Sequence, residues 1–471
     1  QKTGCPMKSF ADFKAPNTYA ILASLLVVIA LLTWVIPAAE FDTIEQSGRK
    51  VVDPQTYHRV EASPQGPAAI ITAPIKGFVN AALIIGFILI VGGAFGVFRK
   101  TGAIDSGIRS LLLKQEQSPW LRSILIPVFM TIFSLGGAIF GMSEAVIPFI
   151  LIFIPLAIKL GYDPITGVAI PFIGAGAGFA GAFLNPFTIG IAQGIAGLPL
   201  FSGLGYRLIC WFIITGAAII FVMRYAEKVR KDPSSSAMEG APETWQTGAD
   251  EESSDLPNPD PRMTWVLGLF VVTMVILVFG VLKYQWYIQE IAALFLVSGF
   301  LAGWIGRLGS DETIHSFIDG AKDLVGTALV IGLARGVLII AEDGHIIAPI
   351  LHGLAGMVDG VPPLFAGWIM FLSQTCLNFL VPSGSGQAVL TMPIMAPLGD
   401  LLGVSRQLVV LAYQFGDGFG NMIIPTSPVT MSVLMLAKIP WTRWAAWILK
   451  LEVIFLLLGL LLLIPPYFMN W

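Results

Sequence analysis

Long apolar runs alternate with short polar stretches along this chain. A helix needs roughly 20 apolar residues to cross a bilayer. The first run of that kind is 18–36, ended by Pro37, and a polar stretch at about 40–65 follows. A second span is expected at 78–98, stopped by Arg99 and Lys100. Residues 101–118 carry Lys and Arg in an amphipathic pattern and should lie on the membrane surface. Further spans are expected at 206–223, 264–282, 288–305 and 322–341. The last is 451–465, preceded by an aromatic and basic stretch, 441–450.

Two stretches break the rhythm. Residues 121–158 are apolar but too few for two full crossings and a turn. Their middle holds Gly136, Gly137, Gly141, Ser143 and Glu144. A re-entrant hairpin fits, because non-helical backbone survives at membrane depth only beside a cavity or buried in protein. Residues 164–196 are one apolar run interrupted by Asn185-Pro186-Phe187-Thr188. Proline removes a backbone donor and disfavours helix before it, so a discontinuous helix is expected there. The same pair recurs later. A hairpin is expected at 362–400, centred on Pro382-Ser383-Gly384-Ser385-Gly386-Gln387, and a broken helix at 406–436, interrupted by Pro425-Thr426-Ser427-Pro428.

Ser143 falls on Ser385 after a shift of 242 residues, and the same shift aligns both pairs without a gap. Pro155 falls on Pro397, Gly174, Gly176 and Gly178 on Gly416, Gly418 and Gly420, Pro186 on Pro428, and Thr188 on Thr430. Between the halves, 226–262 is a long polar segment of disorder-like composition. The positive-inside rule puts the N-terminus and this linker in the cytoplasm, and the extra span between the halves then inverts the second. The expected fold is an all-α polytopic membrane protein with two inverted repeats, about nine full spans and two hairpins. Residues 1–225 form the first repeat, 226–262 the cytoplasmic linker, and 263–471 a linking span plus the second repeat, with the C-terminus outside. Inverted repeats with paired discontinuous helices point to a transport site near the membrane midplane.

Composition agrees. The 471 residues are 55% hydrophobic and only 12% charged, with a mean hydropathy of +0.79, whereas a soluble chain is about a quarter charged. A net charge of −3 and the lack of any basic, aromatic-laced run give no nucleic-acid partner. Cys5, Cys210 and Cys376 are far apart, with neither metal-site nor disulfide spacing. The histidines (His58, His315, His345, His352) fall in loops or at segment ends, so no cofactor is expected. The first apolar run is too long for a signal-peptide core and reads as a retained span.

Ionisable groups inside a membrane are costly and mark function. The candidates are Glu144 at the first tip, Asp417 in the second broken helix and Arg335 in the span 322–341. Each has a plainer role. Glu144 could be solvated or cap a hairpin arm, and Asp417 and Arg335 could form a structural ion pair. Lys450 and Glu452 read as snorkelling to the interface. Hydroxyls and amides gather at the tips and breaks: Ser143, Ser383, Ser385, Gln387, Asn185, Thr188, Asn421, Thr426 and Ser427. Half-helix N-termini there suit a carboxylate. Unwound carbonyls suit Na⁺, expected near Ser143, Asn185, Ser385 and Thr426. Gly174 and Gly176 read more simply as tight helix packing.

Several motifs resemble one family. They are Ile90-Val91-Gly92-Gly93-Ala94-Phe95-Gly96, Phe133-Ser134-Leu135-Gly136-Gly137-Ala138, Asn185-Pro186-Phe187, Ser383-Gly384-Ser385-Gly386-Gln387 and Gln414-Phe415-Gly416-Asp417-Gly418-Phe419. The chain resembles YfcC-type carriers, in the C4-dicarboxylate anaerobic carrier-like group that also holds arginine/ornithine exchanger-like members. The resemblance covers nearly the whole chain and implies membership of the ion transporter superfamily. It implies a scaffold domain, a transport domain, an elevator motion and a homodimer. It also puts Ser143, Ser385, Asn185, Thr188, Thr426 and Ser427 near substrate or ion. One departure is that such relatives carry two acids after the first tip, whereas Glu144 is followed by Ala145.

The charges favour a basic or zwitterionic amino acid over a dicarboxylate. A dianion wants more than one fixed cation, and the core offers Arg335 beside the acids Glu144 and Asp417. If both acids hold Na⁺ or H⁺ as coupling ion, a dicarboxylate returns as the alternative. A channel is a further alternative, without a visible ring of filter residues. An intramembrane serine protease built on Gly384-Ser385-Gly386 would need a histidine at depth, and none is expected there. The expected partners are a small-molecule substrate and the lipid bilayer of the inner (plasma) membrane.

Overall fold

A computed structural model describes residues 18–46, 49–104, 106–107, 120–238, 261–284, 286, 288–356, 361–469 and 471. In chain order the helices are α1 (Thr18–Leu32), α2 (Pro67–Asn80), α3 (Ala82–Lys100), α4 (Trp120–Phe140), α5 (Ile150–Lys159), α6 (Pro164–Ala180), α7 (Ile189–Ile195) and α8 (Leu204–Lys231). Then come α9 (Pro261–Tyr284), α10 (Ile288–Ile305), α11 (Ser310–Asp323), α12 (Val325–Asp343) and α13 (Ile347–Gly356). The last are α14 (Pro363–Leu380), α15 (Gly384–Leu401), α16 (Arg406–Gly420), α17 (Pro428–Leu436), α18 (Trp441–Leu462) and α19 (Ile464–Phe468). Among the described residues, six helical stretches are long and apolar enough to cross a membrane, and five shorter apolar helices accompany them. The polar stretch after α1 folds into two small antiparallel ribbons. Ala39–Glu40 (β1) pairs with His58–Arg59 (β4), and Thr43–Gln46 (β2) with Arg49–Val52 (β3).

Two expected spans are halves of longer bent rods. The stretch 78–98 is mostly α3, preceded by α2 and separated from it by Ala81 alone, at φ −93°, ψ 9°. The stretch 322–341 is mostly α12, preceded by α11 and separated from it by Leu324, at φ −100°, ψ 1°. A residue with ψ near zero leaves the helical basin and interrupts the ladder without proline or glycine. α2 packs along α12, and α3 along α11 and α10, with α1 on α12. The crossing is close: a Cβ on Gly77 would lie 2.1 Å from the Gly332 carbonyl oxygen, and one on Gly320 2.4 Å from that of Gly92.

A second group of helices wraps α6 and α16, whose residues are almost all buried. α4, α5 and α8 cover α6, while α14, α15 and α18 cover α16. The two central helices meet each other through reciprocal contacts. A Cβ on Gly418 would lie 2.4 Å from Ala180 Cα, and one on Gly176 2.4 Å from Met422 Sδ. The expected interruptions appear where the prolines stand, between α6 and α7 and between α16 and α17.

The surface stretch expected at 101–118 and the linker expected at 226–262 fall largely outside the described residues. What is described of the linker begins later, because α8 runs to Lys231. Its start is pinned to the start of α6. Asp163 accepts hydrogen bonds from the Tyr225 hydroxyl and from Ser236 Oγ (2.7 Å), and Arg443 Nη1 donates to the Ala237 carbonyl (3.2 Å).

Candidate functional site

Pro382 biases the residue before it away from helix, and α14 stops at Leu380. Ser383 then caps α15, its Oγ accepting from Gly386 N–H (3.4 Å). The second tip is therefore 381–383, and Ser385 and Gln387 stand in the first turn of α15 rather than in the tip itself. Ser383 and Ser385 open onto a cavity of about 940 Å³ whose other wall is one face of α12. That face contributes Arg335, Leu338, Ala341 and Glu342, and the β1 segment adds Glu40 and Asp42.

Arg335 donates from Nε to Asn80 Oδ1 (2.8 Å). No partner for its two terminal nitrogens is found among the described residues, so a guanidinium fork faces the cavity. Such a fork, beside a capped helix N-terminus, suits a carboxylate. Two neighbouring acids are paired: His345 Nδ1 with Glu40 Oε1 (2.6 Å), and Lys76 Nζ with Asp343 Oδ2 (2.6 Å), while Asp42 has no ion pair among the described residues. Glu342 is exposed to the cavity, with no ion pair or hydrogen bond to its side chain among the described residues. Arg335 pairs with Asn80 and not with Asp417, so the ion pair between those two does not form.

Behind the second tip lies a buried polar cluster. Asn378 Nδ2 donates to Asp417 Oδ1 (2.9 Å) and to the Asp417 main-chain oxygen (2.9 Å), and Asn421 Oδ1 (3.2 Å) and Gln387 Oε1 (3.4 Å) are also within reach. Gln387 Nε2 donates to Gln374 Oε1 (2.7 Å), the Tyr413 hydroxyl to the Gly384 carbonyl (2.6 Å), and Gln414 Nε2 to the Phe179 carbonyl (2.6 Å). Asp417 Oδ2, Thr188 Oγ1, Thr426 Oγ1, Gln414 Oε1 and Asn378 Oδ1 are buried without a protein partner. Asp417 Oδ2 and Thr188 meet at the second tip, 2.9 Å (Oδ2) and 2.6 Å (Cγ2) from where a Gly384 Cβ would stand. Buried oxygens without donors are costly unless a proton or a hard cation satisfies them, and Asp417 Oδ2 suits either.

The first tip follows α4. Gly141 takes φ +68°, and a Cβ there would lie 2.8 Å from both terminal atoms of Asn185. Asn185 Oδ1 accepts from Phe187 N–H (2.9 Å), while its Nδ2 is unpartnered. Ser143 lines a second, smaller cavity of about 30 Å³ together with Asn421 and Ser427. Ser427 caps α17 by accepting from Thr430 N–H (3.3 Å), and the Thr430 hydroxyl donates to the Asn421 carbonyl. Glu144 opens a 3-10 turn, 144–149, and lines neither cavity.

The expected residues thus separate. Ser143, Asn421 and Ser427 share the small cavity, Arg335, Ser383 and Ser385 the large one, and Asp417, Gln387 and Thr188 the buried cluster, to which Asn421 also reaches through Asn378. Of the expected Na⁺ set, Ser143 and Ser385 stand in different cavities, Asn185 lies against Gly141, and Thr426 is buried at the second break. Glu452 does not snorkel: it is 5% exposed with an unpartnered Oε1, while Lys450 is exposed. His315 and His352 lie within α11 and α13 rather than in loops. Sequence reasoning passed over Gln374, Asn378 and Gln414, neutral amides inside apolar helices. It also passed over Glu342, which reads as an ordinary helix-end charge.

The C4-dicarboxylate anaerobic carrier family matches residues 15–467. YfcC of Escherichia coli (strain K12), described as a candidate basic amino acid antiporter, is 38% identical over 91% of this chain and 92% of its own. An uncharacterized protein of Haemophilus influenzae (strain Rd) is 30% identical over 97% of this chain and 98% of its own. Among solved structures, the YdaH transporter of Alcanivorax borkumensis aligns with 97% of this chain and 99% of its own, at 17% identity and a TM-score of 0.45.

Proposed function

Because the chain belongs to the C4-dicarboxylate anaerobic carrier family, we propose that it is a secondary carrier for a small carboxylate-bearing metabolite, namely a basic amino acid. The family and its relatives are transporters rather than enzymes, which removes the protease reading of Gly384-Ser385-Gly386. The observation that carries the substrate class is the lining of the large cavity. It offers one open guanidinium, Arg335, two acids without an ion pair among the described residues, Asp42 and Glu342, and the Glu40–His345 pair. A dianion would meet more repulsion than attraction there, whereas an amino acid with a cationic side chain meets one group for each of its ends. The description of YfcC as a basic amino acid antiporter points the same way.

In this reading the α-carboxylate sits between Arg335 and the N-terminus of α15, with Ser383 and Ser385 beside it. Asp417 and its unpartnered neighbours hold the coupling ion, Na⁺ or H⁺, as does the small cavity at Ser143. The two halves form inverted repeats. The reciprocal contacts of Gly176 with Met422 and of Gly418 with Ala180 support that, since a two-fold relation returns each contact with its partners exchanged. The hairpins and broken helices move together against α1–α3 and α10–α12, each state being favoured by the ligand it binds better. The carrier works as a homodimer in the inner membrane, with its N-terminus and linker in the cytoplasm.

The test is uptake by the purified protein in liposomes, with labelled arginine and labelled succinate, each with and without Na⁺ and a pH gradient. Saturable arginine uptake, faster with arginine or ornithine inside, is the expected result. Ion-dependent succinate uptake without an arginine signal would assign the alternative, a coupled dicarboxylate carrier.

A further inference from the structure

Arg335 and Glu342 are seven residues apart on α12, two turns along one face. At 1.5 Å per residue that separates them by roughly 10 Å along the axis. Leu338 and Ala341 lie between them on the same cavity-lining face. The nearby charges at Glu40 and Asp343 are each held by a cation, at 2.6 Å in both pairs. Glu342 is different: its carboxylate faces the cavity with no ion pair among the described residues, on the wall that also bears the open fork of Arg335.

We propose that Glu342 is a specificity-determining residue, which takes the guanidinium or ammonium end of a basic amino acid whose α-carboxylate is held by Arg335. This rests on the carrier reading given above and narrows it. The pair acts as a ruler. An extended arginine or lysine lying along this face can set its carboxylate at Arg335 and turn its cationic end toward Glu342, with the aliphatic stem over Leu338 and Ala341. Succinate is shorter and presents a second anion to Glu342. Citrulline has arginine's length but a neutral urea, so it reaches Glu342 without the charge.

The experiment compares arginine and citrulline as competing substrates of the full-length protein in liposomes, for the wild type and for Glu342→Gln. A charge-assisted pair lost at constant shape changes affinity by about tenfold or more. The wild type should prefer arginine by that factor. Glu342→Gln should raise the arginine KM until the two substrates agree within about twofold, leaving the citrulline KM where it was. An unchanged arginine preference in Glu342→Gln overturns the assignment while leaving the carrier intact. A wild type that carries succinate but neither arginine nor lysine overturns the substrate reading beneath it. Should Glu342→Gln be inert in liposomes, equilibrium binding of both amino acids to the detergent-purified variant yields the same ratio and decides in the same way. Glu342→Asp, which keeps the charge, should keep the preference.

Discussion

Asp417 depends on an amide that is overcommitted. Asn378 Nδ2 has two protons and four acceptors within reach, so at least two of those oxygens go without. The unpartnered Oδ2 of Asp417 faces Gly384 and Thr188 across the second tip. Asp417→Asn keeps an oxygen for Asn378 to bond, so the fold should stand, but it removes the charge and adds a donor where an acceptor is needed. Uptake by this variant should lose its response to a Na⁺ or pH gradient, with driven accumulation down by about tenfold or more. A gradient response equal to the wild type's would show that Asp417 is no ion ligand. Asp417 was legible in the sequence because a charge stands out in an apolar run. Gln374, Asn378 and Gln414 were not, because a neutral amide in such a run leaves no trace in hydropathy and its role comes only from what folding sets opposite it.

Helix breaks were legible to the extent that proline makes them. Pro186 and Pro425 mark the two interruptions beside the central helices, and Pro382 marks the end of α14. The breaks at Ala81 and Leu324 carry no such mark, and both rods were expected as single shorter spans. Each is a single residue near ψ zero, Ala81 and Leu324, of a type that local propensity leaves within a helix. The central helices fit through glycine contacts that leave no room for a methyl group. Gly418→Ala puts a carbon 2.4 Å from Ala180 Cα, a backbone atom that cannot rotate away. Over-packing of this kind costs about 1–3 kcal/mol. The variant should melt at a lower temperature in detergent, and an unshifted melting curve would mean that the two helices part more easily than their packing implies.

The partition of the molecule into two helix groups was not written in the apolar pattern, since every lipid-compatible helix looks alike until its neighbours are known. The large cavity lies between the groups, with Leu338 on α12 and Val389 on α15 both on its lining. A pair of cysteines at these positions, with Cys5, Cys210 and Cys376 replaced, joins the two walls through a reducible bifunctional reagent. If the groups slide past each other, cross-linking should stop transport and reductant should restore it. Full transport by the cross-linked protein would exclude the sliding motion. The stretch 121–158 folds as helix, 3-10 turn and helix, and its depth in a bilayer belongs to the proposal and to that measurement.

The pocket shared by Ser143, Asn421 and Ser427 is about 30 Å³, room for one body the size of a water molecule. Whatever enters must come undressed. A sodium ion has to leave its hydration shell at the threshold, and so does any larger monovalent ion. A proton arriving on a single water fits as it is. Selection at that point is then governed by the free energy of dehydration more than by charge, and three short oxygen-bearing side chains must replace much of what the solvent supplied.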